Sequence, residues 1–182
     1  MIKRALSSVI VCALACAGAA VLAEKAAAPP KPGPETQKLG YFVGKWKSKG
    51  EMKENPFMPG GKFEMKDDCT WFEGGFAVVC NSQGKGPMGP TKGIGIMAYS
   101  AEDKAYTYYG LDSLGMIMST VPKGQVEGKT WTYDDESKMG GMTVKSRYVL
   151  QEISATEYTF KWEVQGEDGA WQTVAEGKST KS

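Results

Sequence analysis

Residues 66–83 read KDDCTWFEGGFAVVCNSQ, and this stretch decides the class of fold. The Gly74-Gly75 pair lies between two runs rich in aromatic and β-branched residues, which is the composition of two strands joined by a hairpin turn. Glycine readily adopts the positive φ angles that a two-residue turn requires. We therefore predict an antiparallel hairpin in which Glu73 faces Phe76 across the turn.

The register of this hairpin brings two cysteines together. Counting outward from the turn places Cys69 directly opposite Cys80, and the other two cysteines of the chain lie near the N-terminus. Directly paired Cβ atoms are within bridging range, so we predict a cross-strand disulfide, with a reduced, merely packed pair as the alternative. With a two-residue turn the cysteines would occupy a hydrogen-bonded site, where Cα atoms lie farther apart.

Residues 1–23 have the features of a secretory signal peptide. Lys3 and Arg4 precede an almost unbroken run of small and apolar residues, and the residues before position 24 suit cleavage after Ala23. The alternative is a lipid anchor at Cys16, although a leucine stands one place too late there for a good lipobox. We predict a periplasmic or secreted protein, since a disulfide persists in such compartments, with no membrane insertion after cleavage.

The segment after the signal peptide differs in composition from the rest of the chain. Residues 24–35 read EKAAAPPKPGPE, with four prolines and no large apolar residue. Such a segment cannot bury enough surface to order itself, so we predict a disordered tether. Residues 36–182 contain no second linker and are numerous enough to bury about two thirds of their unfolded surface, so we predict one domain there.

Charge and histidine content exclude several functions. The chain has 22 Lys+Arg and 21 Asp+Glu, and removal of Lys3 and Arg4 with the signal peptide leaves 20 against 21. A nearly neutral chain with interspersed signs lacks the basic face of a nucleic-acid-binding protein. The absence of histidine excludes His-ligated zinc, Ser-His-Asp or Cys-His nucleophiles and a proximal His to haem. We predict no cofactor and no metal site.

Short apolar runs separated by turn residues follow one another to the C-terminus. We predict a short helical turn at 35–43 and about ten strands: 44–53, the two arms of the cysteine hairpin, 91–100, 105–111, 114–121, 129–135, 142–153, 157–165 and 171–178. Turn signals between them include Lys123-Gly124. Regular strands with tight turns favour an antiparallel barrel or sandwich, and closure removes exposed edges. The predicted fold is all-β, a single antiparallel up-and-down barrel.

The last hairpin allows an inner face to be assigned. A two-residue turn at Asp168-Gly169 would pair Gln165 with Gln172 and Lys161 with Glu176. The predicted inner face carries Phe160, Trp162, Val164, Trp171, Thr173 and Ala175, and the outer face carries Lys161, Glu163, Gln165, Gln172, Val174 and Glu176. Large aromatic residues opposite small ones suit a cavity and would equally suit a solid core.

Several motifs together resemble a known family. Gly44-Lys45-Trp46 is similar to the G-x-W signature of lipocalin-like (calycin) barrels, in which the Trp closes one end. Joined to WFEGGF at 71–76, to GIG at 93–95 and to Asp112, it resembles the bacterial domain-of-unknown-function family 1579 from about residue 39 to the C-terminus. The sequence departs from the family at Gly110, where many members have Trp.

The resemblance implies a lipocalin-like barrel and no known activity. Related calycin barrels carry fatty acids or other apolar ligands. Some of them hold haem through a histidine, which this chain lacks.

Two groups of polar or soft side chains are candidates for ligand binding. Arg147 is the only arginine beyond the signal peptide, and fatty-acid-binding barrels anchor a carboxylate on an inward arginine, but alternation with Lys145 favours a solvent-facing position. Met116 and Met118 suit Cu(I) or the wall of an apolar pocket. Neither a histidine nor a free cysteine completes a copper site, so we favour the apolar wall.

Aromatic residues are the remaining candidates. We predict that Trp162 and Tyr108 line a ligand cavity, with a packed core as the alternative, whereas Trp46 and Trp71 serve as structural plugs. The carboxylates at 67–68, 134–136 and 167–168 are predicted to lie at turns or strand ends, in solvent, where their pKa values are not perturbed.

These observations favour an exported barrel that binds a small apolar or amphipathic molecule in its interior, without catalysis. The alternative is a structural or interaction protein of the cell envelope, with a solidly packed barrel on a proline-rich tether. An enzyme is disfavoured because no nucleophile-base pair can be assembled from these residues.

Overall fold

The computed structural model describes residues 30–115, 118, 120–139 and 141–182. The predicted signal peptide, Cys16, most of the predicted tether and Met116 lie outside the described residues. A short α-helix, α1, spans Pro34–Lys38 and continues into a 3₁₀ turn at Leu39–Phe42. The helical turn expected from the sequence is thus confirmed.

Ten strands follow the helix. They are β1 (Gly44–Met52), β2 (Gly61–Trp71), β3 (Ala77–Gly86), β4 (Gly89–Ser100), β5 (Ala105–Asp112), β6 (Lys123–Glu127), β7 (Thr130–Met139), β8 (Met142–Ser154), β9 (Glu157–Gln165) and β10 (Trp171–Lys181). Each strand pairs antiparallel with the next, and β1 pairs with β10, so the sheet closes on itself. The predicted up-and-down barrel is confirmed.

The sixth strand was predicted in the wrong place. The described residues within 114–121 contain no strand, and β6 instead begins at Lys123, where the sequence suggested a turn. The Asp112 carboxylate accepts the Leu114 N–H at 2.8 Å and Gly115 has a φ of 82°, so the chain turns where alternation predicted a strand. Gly124 is required inside β6, because a Cβ there would lie 2.6 Å from the Tyr133 ring.

The register of the cysteine hairpin is confirmed, although its turn is longer than predicted. The Phe72 N–H donates to the Ala77 carbonyl at 2.8 Å, so residues 73–76 form a four-residue loop. Symmetric lengthening leaves Cys69 opposite Cys80, and these residues form a disulfide. It also moves the cysteines to a site without mutual backbone hydrogen bonds, and their Cα atoms are only 4.0 Å apart. The expected wide site was therefore wrong.

The predicted register of the last hairpin is correct far from the loop and wrong next to it. Lys161 pairs with Glu176 as predicted, but Gln165 pairs with Trp171 because the loop spans residues 166–170. A bulge between Thr173 and Ala175 absorbs the difference by inserting one extra residue. Beyond this bulge Trp171 and Thr173 lie on the face that carries Glu163, not on the predicted inner face.

Aromatic packing closes the barrel at the end that carries α1. Trp46 is 2% exposed, and its indole N–H donates to the Phe42 carbonyl at 2.7 Å. The Phe42 and Trp131 ring centroids lie 4.9 Å apart, and Leu39 is fully buried beside them. The G-x-W motif thus joins the helical segment to the first strand, as its resemblance to calycin barrels implied.

The contribution of the Cys69–Cys80 disulfide to the stability of the protein can be measured directly. Replacing both cysteines, Cys69→Ser with Cys80→Ser, should lower the free energy of unfolding by about 3 kcal/mol, because a bridge of this short span restricts the unfolded chain. Urea unfolding monitored by tryptophan fluorescence measures the difference. Wild-type protein in excess reductant is the matched control and should resemble the double variant. Equal midpoints for the oxidised protein and the double variant would contradict this account.

Candidate functional site

The interior wall opposite the disulfide is largely aromatic. Strand pairing places Trp131, Leu150 and Phe160 in one row, and Tyr133, Tyr148 and Trp162 in the next. Residues paired directly opposite share a face of the sheet, and the buried members of both rows show that this face is the interior. The Tyr148 and Phe160 rings stack with centroids 5.9 Å apart.

Water reaches part of this interior wall. Tyr108 projects from the interior face opposite Met97, and yet it is 38% exposed. Trp162, Tyr148 and Met65 also face inward and are only partly buried. Strands β5 and β6 share just two residue pairs, so the wall is short beside Tyr108. The interior wall is therefore not fully packed beside Tyr108.

A polar cluster lies on the opposite interior wall. The Asp67 carboxylate accepts a hydrogen bond from the Ser82 hydroxyl at 2.5 Å, across the β2–β3 pair. Ser48, on β1, lies 3.0 Å from Ser179 on β10, oxygen to oxygen. Ser179 pairs directly with Tyr158 on β9, so the polar cluster adjoins the aromatic wall.

The placement of Asp67 corrects a prediction from the sequence. Asp67 was expected in solvent near a turn or strand end, but it lies inside β2 and faces inward, two residues from the buried Cys69. Asp135 is likewise inside β7, where it accepts a hydrogen bond from Thr120. Glu167 and Asp168 are exposed in the last loop, as predicted. Strand alternation counted from Cys69 would have revealed Asp67.

Burial alters the acid-base properties of the interior groups. Desolvation raises the pKa of Asp67, and hydrogen bonds with Ser82 and Ser48 partly oppose that rise. Burial also raises the pKa of Tyr158 to about 12 and that of Tyr148 well above its usual value. The interior tyrosines therefore keep their hydroxyl protons at neutral pH and can donate hydrogen bonds.

Arg147 lies away from the interior wall. It shares a face with Lys145 and Glu163, its guanidinium Nε lies 2.6 Å from the Glu163 carboxylate, and its Cζ lies 4.3 Å from the Trp171 ring centre. Glu163 and Trp171 therefore contact Arg147 on the face of the sheet opposite to that of Tyr148. Arg147 is thus engaged by residues of its own sheet face.

The methionine candidates are placed separately. Met118 lies beside β5, where its backbone N–H donates to the Gly110 carbonyl at 3.4 Å, and Met116 is outside the described residues. Met139 and Met142 pair directly at one end of the barrel. The described residues contain no group of three or more His, Cys, Asp or Glu that could hold a metal ion.

The outer surface carries two adjoining depressions. Their volumes are about 670 and 810 Å³, and they share Lys47, Lys66, Gln83, Lys92 and Ser113. Next to them Ile94 pairs with Leu111, and each of these side chains is 42% exposed. In the described part of the chain no helix is long and apolar enough to span a membrane.

Sequence comparison agrees with the fold. The family model described as "Protein of unknown function (DUF1579)" matches residues 31–181. The chain belongs to the DUF1579 family. The resemblance drawn from the G-x-W and WFEGGF motifs is thereby confirmed. Among curated proteins, none matches this DUF1579 chain significantly.

Two solved structures share the fold of this DUF1579 chain. Rv2717c from M. tuberculosis has a TM-score of 0.58 at 12% identity, covering 82% of this chain and 98% of that chain. The S-type phycobiliprotein lyase CPES from Guillardia theta has a TM-score of 0.53 at 12% identity, covering 79% of this chain and 89% of that chain. At such identities the likeness shows the lipocalin-like barrel alone.

The half-buried Asp67 carboxylate should reduce stability at neutral pH. The pKa of the Asp67 carboxyl is raised in the folded protein, so the protonated form of Asp67 favours folding. This contribution to stability is fully present below the unfolded-state pKa and is lost as the pH rises through the folded-state pKa. We expect the variant Asp67→Asn to unfold at higher urea than wild type near pH 7, and the two to converge near pH 3.

The matched control for this experiment is Asp68→Asn. Asp68 is the next residue, its side chain is 55% exposed, and it should show no comparable pH-dependent difference. A wild-type protein that is more stable than Asp67→Asn near pH 7 would refute the proposed cost of this carboxylate.

Proposed function

We propose that this DUF1579 protein is an exported, non-catalytic carrier that binds a small apolar or amphipathic molecule inside the barrel. The observation that carries this proposal is the partial exposure of side chains on the interior face. Tyr108 is 38% exposed although it faces inward, and Trp162 and Tyr148 are only partly buried. A solid core would leave no such surface accessible to water.

The composition of the interior supports the same proposal. Ligand sites in proteins are mostly apolar, with a few polar groups that fix the orientation of the ligand. Here Trp162, Tyr148 and Phe160 provide flat apolar surfaces, and Asp67 with its serine neighbours provides the polar groups. Trp162 and Tyr108 therefore remain our proposed ligand contacts, Met118 is proposed to add apolar surface near β5, and Met116 remains a proposed contact from the sequence.

The absence of catalysis is part of the proposal. One structural neighbour is named a lyase, but a fold shared at 12% identity does not transfer a reaction. The chain has no histidine to serve as a general base. Arg147 is a weaker contact candidate than Trp162, because it is held by Glu163 and Trp171.

Export is proposed from two independent features. Residues 1–23 have the composition of a signal peptide, and the folded domain contains the Cys69–Cys80 disulfide. Such a bond persists in an oxidising compartment such as the periplasm. Residues 24–33 are proposed to act as a flexible tether between the processed N-terminus and the folded domain, whereas Pro34 and Glu35, which the sequence prediction placed in the tether, belong to α1.

A second candidate function is that of an interaction protein of the cell envelope. It is favoured by three exposed apolar side chains on the outer face, Ile94, its partner Leu111, and Ile96. Exposed apolar patches often mark contact surfaces between proteins. This function does not account for the accessible interior wall, so we favour the carrier.

Native mass spectrometry provides a direct test of the carrier. The protein is exported to a periplasm, purified without detergent and weighed before and after solvent extraction. We expect a discrete adduct that leaves on extraction and rebinds, on a chain that begins at Glu24 and is two hydrogens lighter than its reduced form. A mature chain without any adduct, which also fails to bind added 1-octanol, would contradict the proposal.

Filling the interior should weaken binding. Ser146 faces inward between Asp135 and Val164, so Ser146→Phe would occupy space beside Trp162 and should raise the dissociation constant for 1-octanol roughly tenfold or more. The control is Thr143→Phe on the same strand, because Thr143 is exposed and belongs to the opposite face. Circular dichroism confirms that both variants fold. Equal affinities for the two variants would place the ligand outside the barrel.

A further inference from the structure

The described interior face carries more negative than positive charge. Asp67 and Asp135 occupy inward positions, opposite Ser82 and Ser146 respectively. Among the described inward positions of the ten strands, the only lysine or arginine is Lys181, at the end closed by Trp46. An interior of this kind attracts cations and repels anions.

Asp67 is an inward carboxylate held only by hydroxyl groups. It lies between Trp46 on β1 and Ser82 on β3, and its described partners are neutral hydroxyl groups. None of the seven ion pairs formed by the described residues includes it. A desolvated carboxylate without a cation is costly, and a ligand that supplied the positive charge would remove that cost.

The aromatic groups around Asp67 suit the same ligand. The Asp67 charge is close enough to raise the pKa values of Tyr108, Tyr148 and Tyr158. Faces of aromatic rings attract organic cations, and they also accommodate an apolar ligand body. An inward carboxylate in an interior lined by tyrosines is therefore a suitable binding site for an ammonium group.

A second, independent feature points to a missing partner in the interior. Tyr133 projects from the interior face beside Tyr108, with ring centroids 6.5 Å apart, and it is 5% exposed. Its hydroxyl is buried and has no hydrogen-bond partner among the described residues. Buried hydroxyl groups in proteins are normally satisfied, so an unpaired one beside the accessible Tyr108 ring is consistent with a ligand that completes it.

We propose that the barrel interior selects an organic amine in its ammonium form, with the ammonium group at Asp67 and an apolar body against Tyr148, Phe160 and Trp162. This inference rests on the proposed function, and it names the class of ligand. The proposed site has the opposite charge to that of fatty-acid-binding barrels, in which an inward arginine would anchor the carboxylate of the ligand. Arg147 is on the other face of the sheet, in contact with Glu163.

Three probes with the same chain length test this selection. Binding of n-octylammonium, 1-octanol and octanoate to the oxidised wild-type protein is measured by isothermal titration calorimetry at neutral pH. We expect n-octylammonium to bind roughly tenfold or more tightly than 1-octanol, and octanoate to bind most weakly. This comparison needs no variant, so it does not depend on the folding of a mutant.

Two neighbouring carboxylates then provide a matched pair of variants. Asp67→Asn removes the interior charge and retains the shape of the side chain, so it should abolish the preference for n-octylammonium over 1-octanol. Asp68→Asn makes the same change on the outer face, where Asp68 lies 3.9 Å from Lys45, and should retain the preference. Circular dichroism and the intact Cys69–Cys80 bridge confirm that each variant is folded.

The outcomes separate this inference from the proposal on which it rests. Binding of 1-octanol without preference for n-octylammonium, or a preference that survives in Asp67→Asn, would overturn the amine assignment and leave the carrier intact. Failure of all three probes to bind would overturn the carrier itself. Preference in wild type and Asp68→Asn, lost in Asp67→Asn, supports both.

Discussion

Pairing of β1 with β10 is the interaction on which the rest of the molecule depends. Seven residue pairs, from Trp46 with Lys181 to Met52 with Ala175, join the first strand to the last. Without them each of these strands would expose an unpaired edge. In the closed barrel one face of every strand lines a common interior. Alternation along each strand therefore separates interior side chains from exterior ones. The Ser48–Ser179 hydroxyl contact lies at this seam, so the polar cluster exists only when the barrel is closed.

The two ends of the interior have different physical roles. Near α1, Trp46, Phe42 and Trp131 are almost completely buried and hold the helix against the strands. Farther along the barrel, partly exposed aromatic rings and a desolvated Asp67 carboxylate contribute less to folding. Groups that cost stability and are retained in an otherwise regular fold are typical of binding sites. The well-packed end therefore stabilises the barrel that holds the costly groups in place.

The features predictable from the sequence are those whose strand register stays the same when the predicted loop length is wrong. The Cys69–Cys80 pairing was predicted correctly because lengthening the turn by one residue on each side leaves the register unchanged. At the last hairpin the loop is odd in length, so Trp171 was assigned to the wrong face. β6 was misplaced because Asp112 and Gly115 form a turn where alternation suggested a strand. Local composition indicates that a strand exists, but a single inserted residue decides which face its side chains occupy.

The same sensitivity to register explains why Asp67 was not recognised as an inward residue. Asp67 and Asp68 are adjacent and chemically identical, and only their positions relative to Cys69 distinguish an interior carboxylate from a surface one. Arg147 attracted attention because it is rare in this chain, whereas its pairing with Glu163 gives it a structural role. Scarcity of a residue type is therefore a weaker guide than strand position. The effect of a charge depends on the dielectric environment that the fold provides, and Asp67 lies in the interior because it shares the inward face of β2 with Cys69.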